Sequence, residues 1–388
     1  MKRSAAIICA FLLFAAYTWA QAQEITIGVD VSATGPSASL GVPDQNAILL
    51  APHVLGGHKV RFIYMDDASD PATAVQNVKR LISQDNIDVL IGPSVTPTTI
   101  GVIETIASAK VPMITYGSTT RLVLPMDAQK KWVFKPLPND NFYCQPDINY
   151  MVEKGVKTLA VIAVSDPFGE SWTEMATRLT PANGIKVVDV EKFNRDDPSA
   201  TAEALHAMST HPDAILIAAV GAAAVTPSKA LYQLGYRGLI FLSSGMVDRD
   251  FLRVGGKAVE GLYAPSPPLI VADQLPDGYP TKESGMAFNK VYEDKYGPGS
   301  RSQYAGHARD SIVLLNAAIP YAIKKAQPGT VEFREALRDA LENDIHNVVG
   351  VQSIYNMTPE DHTGYGQEFV VMVKAVNGVW ELISYPKY

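Results

Sequence analysis

Short apolar runs rich in Val and Ile alternate along this chain with stretches whose apolar residues recur at helical spacing. Residues 25–31, 60–65, 87–91 and 111–115 read as strands, each followed by turn residues and a helical pattern. Such alternation predicts a parallel sheet with helices on both faces. The helix after Asp70 shows the logic: Asp70 caps it, Pro71 suits its first turn, and Val75, Val78, Leu81 and Ile82 form one stripe for the sheet to cover. A proline-interrupted segment at 135–138 breaks the pattern, which restarts with strand-like runs at 158–164, 185–190, 214–220 and 239–242. A turn-rich stretch at 264–280 follows, then three helical patterns, the last placing Phe333, Leu337, Ala340 and Leu341 on one face. At the end, Asn377-Gly378 between two apolar runs, 369–376 and 379–384, predicts a hairpin.

The fold class expected is therefore α/β, with two doubly wound parallel-sheet lobes joined by a hinge. Lobe 1 is assigned residues 23–137 and 267–345, and lobe 2 residues 138–266 and 346–388. Residues 1–22 read as a signal peptide: Lys2 and Arg3 precede an apolar stretch at 5–16, and Ala20-Gln21-Ala22 offers small residues for cleavage. The apolar stretch is shorter than the roughly 20 residues a membrane span needs. With Gln23 and not a Cys directly at the cleavage point, a lipid anchor is not expected, and the product is placed free in the periplasm. Removing Lys2 and Arg3 takes the formal charge from −7 to −9. No cluster of Lys or Arg is present to follow a phosphate backbone, so nucleic acid is not expected as a partner. Cys144 is the only cysteine beyond residue 22, which excludes an internal disulfide and a cysteine metal cluster; no cofactor or metal is expected.

In open parallel sheets, ligands bind beyond the carboxyl ends of the strands. The loops there are rich in Gly, Ser and Thr: 35–41 after the first strand, 92–97 after the third and 116–120 after the fourth. Thr96-Pro97 reads as a helix cap and first helical residue, which directs backbone N–H groups and a hydroxyl at an anion. The loops lack the Gly-Lys-Ser/Thr ending of a P-loop and the Gly-x-Gly-x-x-Gly spacing of a dinucleotide site.

Several loop sequences resemble those of the periplasmic leucine/isoleucine/valine-binding proteins of ATP-driven importers. They are Ile27-Gly28 with Gly35-Pro36 and Leu40-Gly41, Ile91-Gly92-Pro93, Val111-Pro112-Met113-Ile114, Phe168-Gly169 and Glu260-Gly261-Leu262-Tyr263. The resemblance implies a type I periplasmic binding protein, acting as a monomer that hands a small carboxylate ligand to a membrane permease. It puts the ligand carboxylate on Thr96, Gly117 and Thr119, with Ser94, Val95 and Tyr116 on the same wall. It also implies that Phe168, Ser244, Gly245 and Gly221 close over the ligand from the second lobe. Amino-acid binders of the family carry an acidic residue before the glycine where this chain has Ser244-Gly245, so the partner for a ligand ammonium is missing. Leu40 stands where an aromatic residue is common, and Tyr304 and His307 sit on the helix that faces the cleft.

A buried ammonium without a partner costs several kcal/mol. The ligand expected is therefore a carboxylate without an amine, an aromatic acid, with Asp166, Asp248 or Asp310 left as displaced counter-charges that would restore an amino acid. No Gly-x-Ser-x-Gly elbow or His-Glu-x-x-His motif is present. His53, His58, His206, His211, His346 and His362 all lie beside turn or charged residues and read as solvated, so catalysis is not expected. A sensor role that passes the closed state to a regulatory partner stays open.

Overall fold

The computed structural model describes residues 24–386; the expected signal peptide lies outside the described residues. In the first lobe, β1 (Ile25–Val31) is buried along its whole length, because helices cover both faces of its sheet. After it come α1 (Ala38–Ile48), β2 (Val54–Leu55), β3 (His58–Asp66), α2 (Pro71–Ser83), β4 (Val89–Ile91), α3 (Thr96–Ser108), β5 (Met113–Ile114) and β6 (Val133–Phe134). The sheet order is β2-β3-β1-β4-β5-β6, and all pairs but β2–β3 are parallel. Strand order reverses between β1 and β4, so the loops after these two strands flank a crevice. Asp70 caps α2 by accepting from Thr73 N at 2.7 Å, and Ala74, Val78 and Leu81 are the side chains this helix buries.

The second lobe repeats the plan with α4 (Asp140–Glu153), β7 (Thr158–Val164), α5 (Pro167–Leu179), β8 (Lys186–Phe193), α6 (Thr201–Ser209), β9 (Ala214–Ala218), α7 (Ala222–Gln233), β10 (Leu239–Leu242), α8 (Arg249–Gly255) and β11 (Tyr263–Ser266). Helices α9 (Lys282–Tyr296), α10 (Gln303–Ile323) and α11 (Val331–Asn343) follow, then β12 (Val348–Val349), β13 (Ile354–Tyr355), β14 (Val371–Val376) and β15 (Val379–Ser384). Here the order is β15-β14-β11-β10-β9-β7-β8, with the reversal between β7 and β9. The Asn377-Gly378 hairpin forms, and both residues have positive φ, as such a turn requires.

Two stretches differ from the sequence reading. Part of the turn-rich 264–280 region is β11, which pairs with β14 along its length and with β10 only at Tyr263. Pro265 is tolerated because it lies beyond that single pair, where no N–H is required of it. The chain enters the second sheet for its last time only at Val371. Before that, residues 348–362 bond to α10 and to the segment after β6: Val351 N donates to Asp310 Oδ1 (2.6 Å), Tyr355 Oη to Pro136 O (3.0 Å) and Lys135 N to His362 O (3.0 Å). His362 is fully buried rather than solvated. Its ring stacks on Phe134 at 4.2 Å and its Nε2 lies 3.2 Å from Glu342 Oε1, because the chain folds back onto β6 there. Among the described residues, no helix is long and apolar enough to cross a membrane.

Candidate functional site

The two reversal points face each other across a narrow, partly open cavity. Its first-lobe wall is Leu40 from α1, Ser94, Val95 and Thr96 from the start of α3, and Tyr116 and Ser118 after β5. Phe168, Arg195, Val220, Ser244 and Gly245 follow strands β7 to β10 of the second lobe, and Tyr143 projects from α4. Leu137, Gln303, Tyr304 and His307 close the remaining side. Thr96, Phe168, Tyr304 and His307 are each 4% exposed or less, so the lobes are shut over the cavity.

Thr96 is not the cap of α3. Val95, in an extended conformation, takes that position and Thr96 is the first helical residue, so its hydroxyl is free of capping. Thr96 Oγ1 is buried with no hydrogen-bond partner, as are Tyr143 Oη, Gln303 Oε1 and both ring nitrogens of His307. A polar atom shut away from water without a partner costs free energy comparable to a lost hydrogen bond, so this lining is complementary to a polar guest. Tyr116 Oη faces the Ser311 hydroxyl, which donates instead to His307 O (3.0 Å). Burial and, behind it, the Lys135 charge depress the imidazole of His307 to about 3, so the ring is neutral at physiological pH and offers one donor and one acceptor.

Three residues expected at the site lie outside the lining. The Thr119 hydroxyl donates to Ser171 Oγ on α5 at 2.8 Å, across the lobes, and Ser171 Oγ bonds in turn to Asp140. Gly117 N donates to Thr115 Oγ1 at 3.1 Å, within its own loop. Gly221 lies behind Val220, with φ of 60°; a Cβ there would come within 2.9 Å of Leu40 Cδ1, so its bareness lets the lobes approach. Gly245 also needs φ of 97°, and a Cβ there would meet Tyr304 Oη and Val220 Cγ1 below 3.0 Å.

Sequence reasoning missed Arg195, Tyr143, Gln303, Ser118, Leu137 and Val220. Arg195 Nε donates to Asp166 Oδ2 at 3.1 Å, and its Nη2 bonds the same oxygen. The signal available was Asp166 itself, which caps α5 through Oδ1 and leaves its other oxygen for a cation. Behind the first-lobe wall, the buried Lys135 Nζ donates to Ser118 O (2.6 Å) and Thr119 O (3.4 Å). Burial pulls that ammonium down to about 8. The three displaced counter-charges all have other duties. Asp166 pairs with Arg195, Asp248 caps α8 by accepting from Phe251 N (2.7 Å), and Asp310 accepts from Val351 N, Gln352 N and Tyr355 Oη. No Asp or Glu lines the cavity.

Fold and cavity together define a two-lobed ligand-binding protein whose site lies between paired α/β sheets. The chain belongs to the periplasmic binding protein family, whose pattern matches residues 24–378. An extracellular ligand-binding receptor from Rhodopseudomonas palustris HaA2 is 36% identical, with a TM-score of 0.90 over 93% of this chain and 100% of that one. The Leu/Ile/Val-binding protein homolog 3 of Brucella melitensis is 22% identical over 61% of this chain and 66% of its own. An ABC-transporter solute-binding protein from R. palustris, in complex with benzoate, shares the fold: 18% identity and a TM-score of 0.76, over 94% of this chain and 96% of that one. The matches span 42% to 66% of the length of the curated relatives.

Proposed function

We propose that the protein captures an aromatic carboxylate without an amine in the periplasm and delivers it to the permease of an ATP-driven importer by hinge closure. The observation that carries this reading is the charge of the cavity: among the described residues that line it, Arg195 is the one with a permanent charge and none is an Asp or Glu. The ligand carboxylate docks on Ser94, Thr96 and Ser118, beside the N-terminus of α3 and in front of the Lys135 ammonium, a setting that favours negative charge. The ring lies among Leu40, Tyr143, Phe168 and Val220. His307 and Arg195 then serve oxygen substituents of the ring. Burying one aromatic ring supplies on the order of 4 to 6 kcal/mol. Two or three charge-assisted hydrogen bonds at roughly 1.5 to 3 kcal/mol each put micromolar affinity within reach after association costs.

A branched-chain amino acid is the second reading, favoured by the name of the Brucella relative. Thermal-shift measurements with leucine, benzoate, phenylacetate and hydroxycinnamates decide between the two. Stabilisation by ring acids and not by leucine is expected; stabilisation by leucine alone overturns the proposal. A ligand-dependent pull-down that recovers a regulatory protein instead of the permease would move the role from delivery to sensing.

A further inference from the structure

Ser94 stands on the first-lobe wall with a buried carboxyl behind it. Its Oγ lies 2.6 Å from Asp44 Oδ2 and 3.3 Å from Ser32 N, which donates to it. Asp44, on α1, is wholly shut from solvent, and its Oδ1 has no partner. The titratable groups around it are Asp67, linked through the Ser32 hydroxyl, and the phenols of Tyr116, Tyr292 and Tyr304 from the loop after β5, from α9 and from α10. None of these is a cation.

A serine hydroxyl has one proton and two lone pairs. With Asp44 ionised, that proton is committed to Oδ2, and Ser94 turns a lone pair toward the cavity, where it repels a carboxylate. With Asp44 protonated the bond reverses: Asp44 donates to Ser94 Oγ, Ser32 N fills the second lone pair, and the Ser94 proton points into the cavity. We propose that Asp44 is a positioning residue that holds a proton while a ligand carboxylate is bound, and so turns the Ser94 hydroxyl toward that ligand. This rests on the reading that the carboxylate lies at the Ser94–Thr96 wall. Burial holds the Asp44 carboxyl well above the usual carboxylate range, against the pull of the Ser94 bond, and the Asp67 charge raises it further. Bound carboxylate and Asp44 charge oppose each other, so affinity is lost as pH rises through the free-state titration of Asp44.

The test is calorimetry on wild type, Asp44→Asn and Ser94→Ala, with benzoate as the probe. At about pH 7, Asp44→Asn should bind within about threefold of wild type, since its amide N–H replaces the carboxyl proton, whereas Ser94→Ala should bind at least about tenfold more weakly. Across the pH range in which Asp44 of the free protein loses its proton, wild type should weaken at least about fivefold relative to Asp44→Asn, whose profile lacks this titration. Parallel profiles overturn the assignment, as does tenfold tighter binding by Asp44→Asn at neutral pH or unchanged binding by Ser94→Ala. If Asp44→Asn does not fold, Asp44→Leu, whose profile keeps the Lys135 titration and lacks that of Asp44, takes its place as the reference. Leucine, run in parallel, separates the two failures: if it alone binds, the ring-acid reading falls, and its own carboxylate tests Asp44 with the same variants. If neither binds, the carboxylate wall and this inference fall together.

Discussion

Thr96 and Thr119 looked equivalent in the sequence, as hydroxyls in loops after neighbouring strands, and the structure separates them. Thr96 Oγ1 has no native partner to lose. Thr96→Ala is therefore expected to weaken ligand binding by about ten- to a hundredfold, one charge-assisted hydrogen bond, with the melting temperature of the free protein unchanged. A shifted Tm in the free form would mean that the hydroxyl serves the fold. Residues that follow a strand directly, such as Thr96, Phe168, Ser244 and Gly245, were legible because sheet topology dictates where those loops go. Arg195 was not: it sits in a charged turn after an edge strand, and its bond to Asp166 joins two loops that only the folded sheet brings together. His362 misled for the converse reason, since the aromatic ring that buries it lies far away in sequence.

Among the elements, α4 carries a cost that binding does not explain. Asp147 is fully buried on it, and neither carboxyl oxygen has a partner. Burial holds the group well above the usual range, so folding must keep it protonated. Asp147→Asn removes that demand and should raise Tm by a few degrees at neutral pH and by less near pH 5; an equal gain at both would refute the protonation account. The same helix supplies Asp140 to the chain of contacts that runs through Ser171 to Thr119 between the lobes. Ser171→Ala should lower affinity about three- to tenfold without touching the ligand, and small-angle scattering should show a wider liganded form. Helical periodicity made these helices visible in the sequence, but it is silent about which polar residues cross from one lobe to the other. Likewise, β11 was hidden by Pro265 and the prolines that follow the strand, because its place in the sheet depends on β14, more than a hundred residues later.

For the molecule as a whole, buried acids shape the pH dependence of stability. Burial raises Asp30 to about 8 and Asp248 to about 7, and holds Asp44 and Asp147 high as well. In each case the folded chain keeps protons that the unfolded chain releases near pH 4, so their contribution is complete below that value; it is lost as pH rises toward about 8 for Asp30 and about 7 for Asp248, and Asp44 and Asp147 act in the same direction. His307 acts in the opposite sense, since unfolding lets it take up a proton between about 3 and 6.5, and Lys135 does so only above about 8, so between pH 5 and 8 the buried acids outweigh them. Tm should therefore be higher near pH 5 than near pH 8, and a maximum at pH 8 would show that these acids are ionised in the fold. The two-sheet plan was readable from strand and helix spacing alone. The closeness of the lobes was not, because it depends on bare positions such as Gly221 and on contacts like that of Thr119 with Ser171.

With Thr96, Phe168, Tyr304 and His307 each 4% exposed or less, the way out of the chamber is narrow. On the proposed hinge closure, a solute held there leaves as the lobes swing apart, so guests that touch both lobes more strongly should escape more slowly. If the proposed delivery holds, a permease would meet the outline of two lobes drawn together and would have to supply the work that parts them.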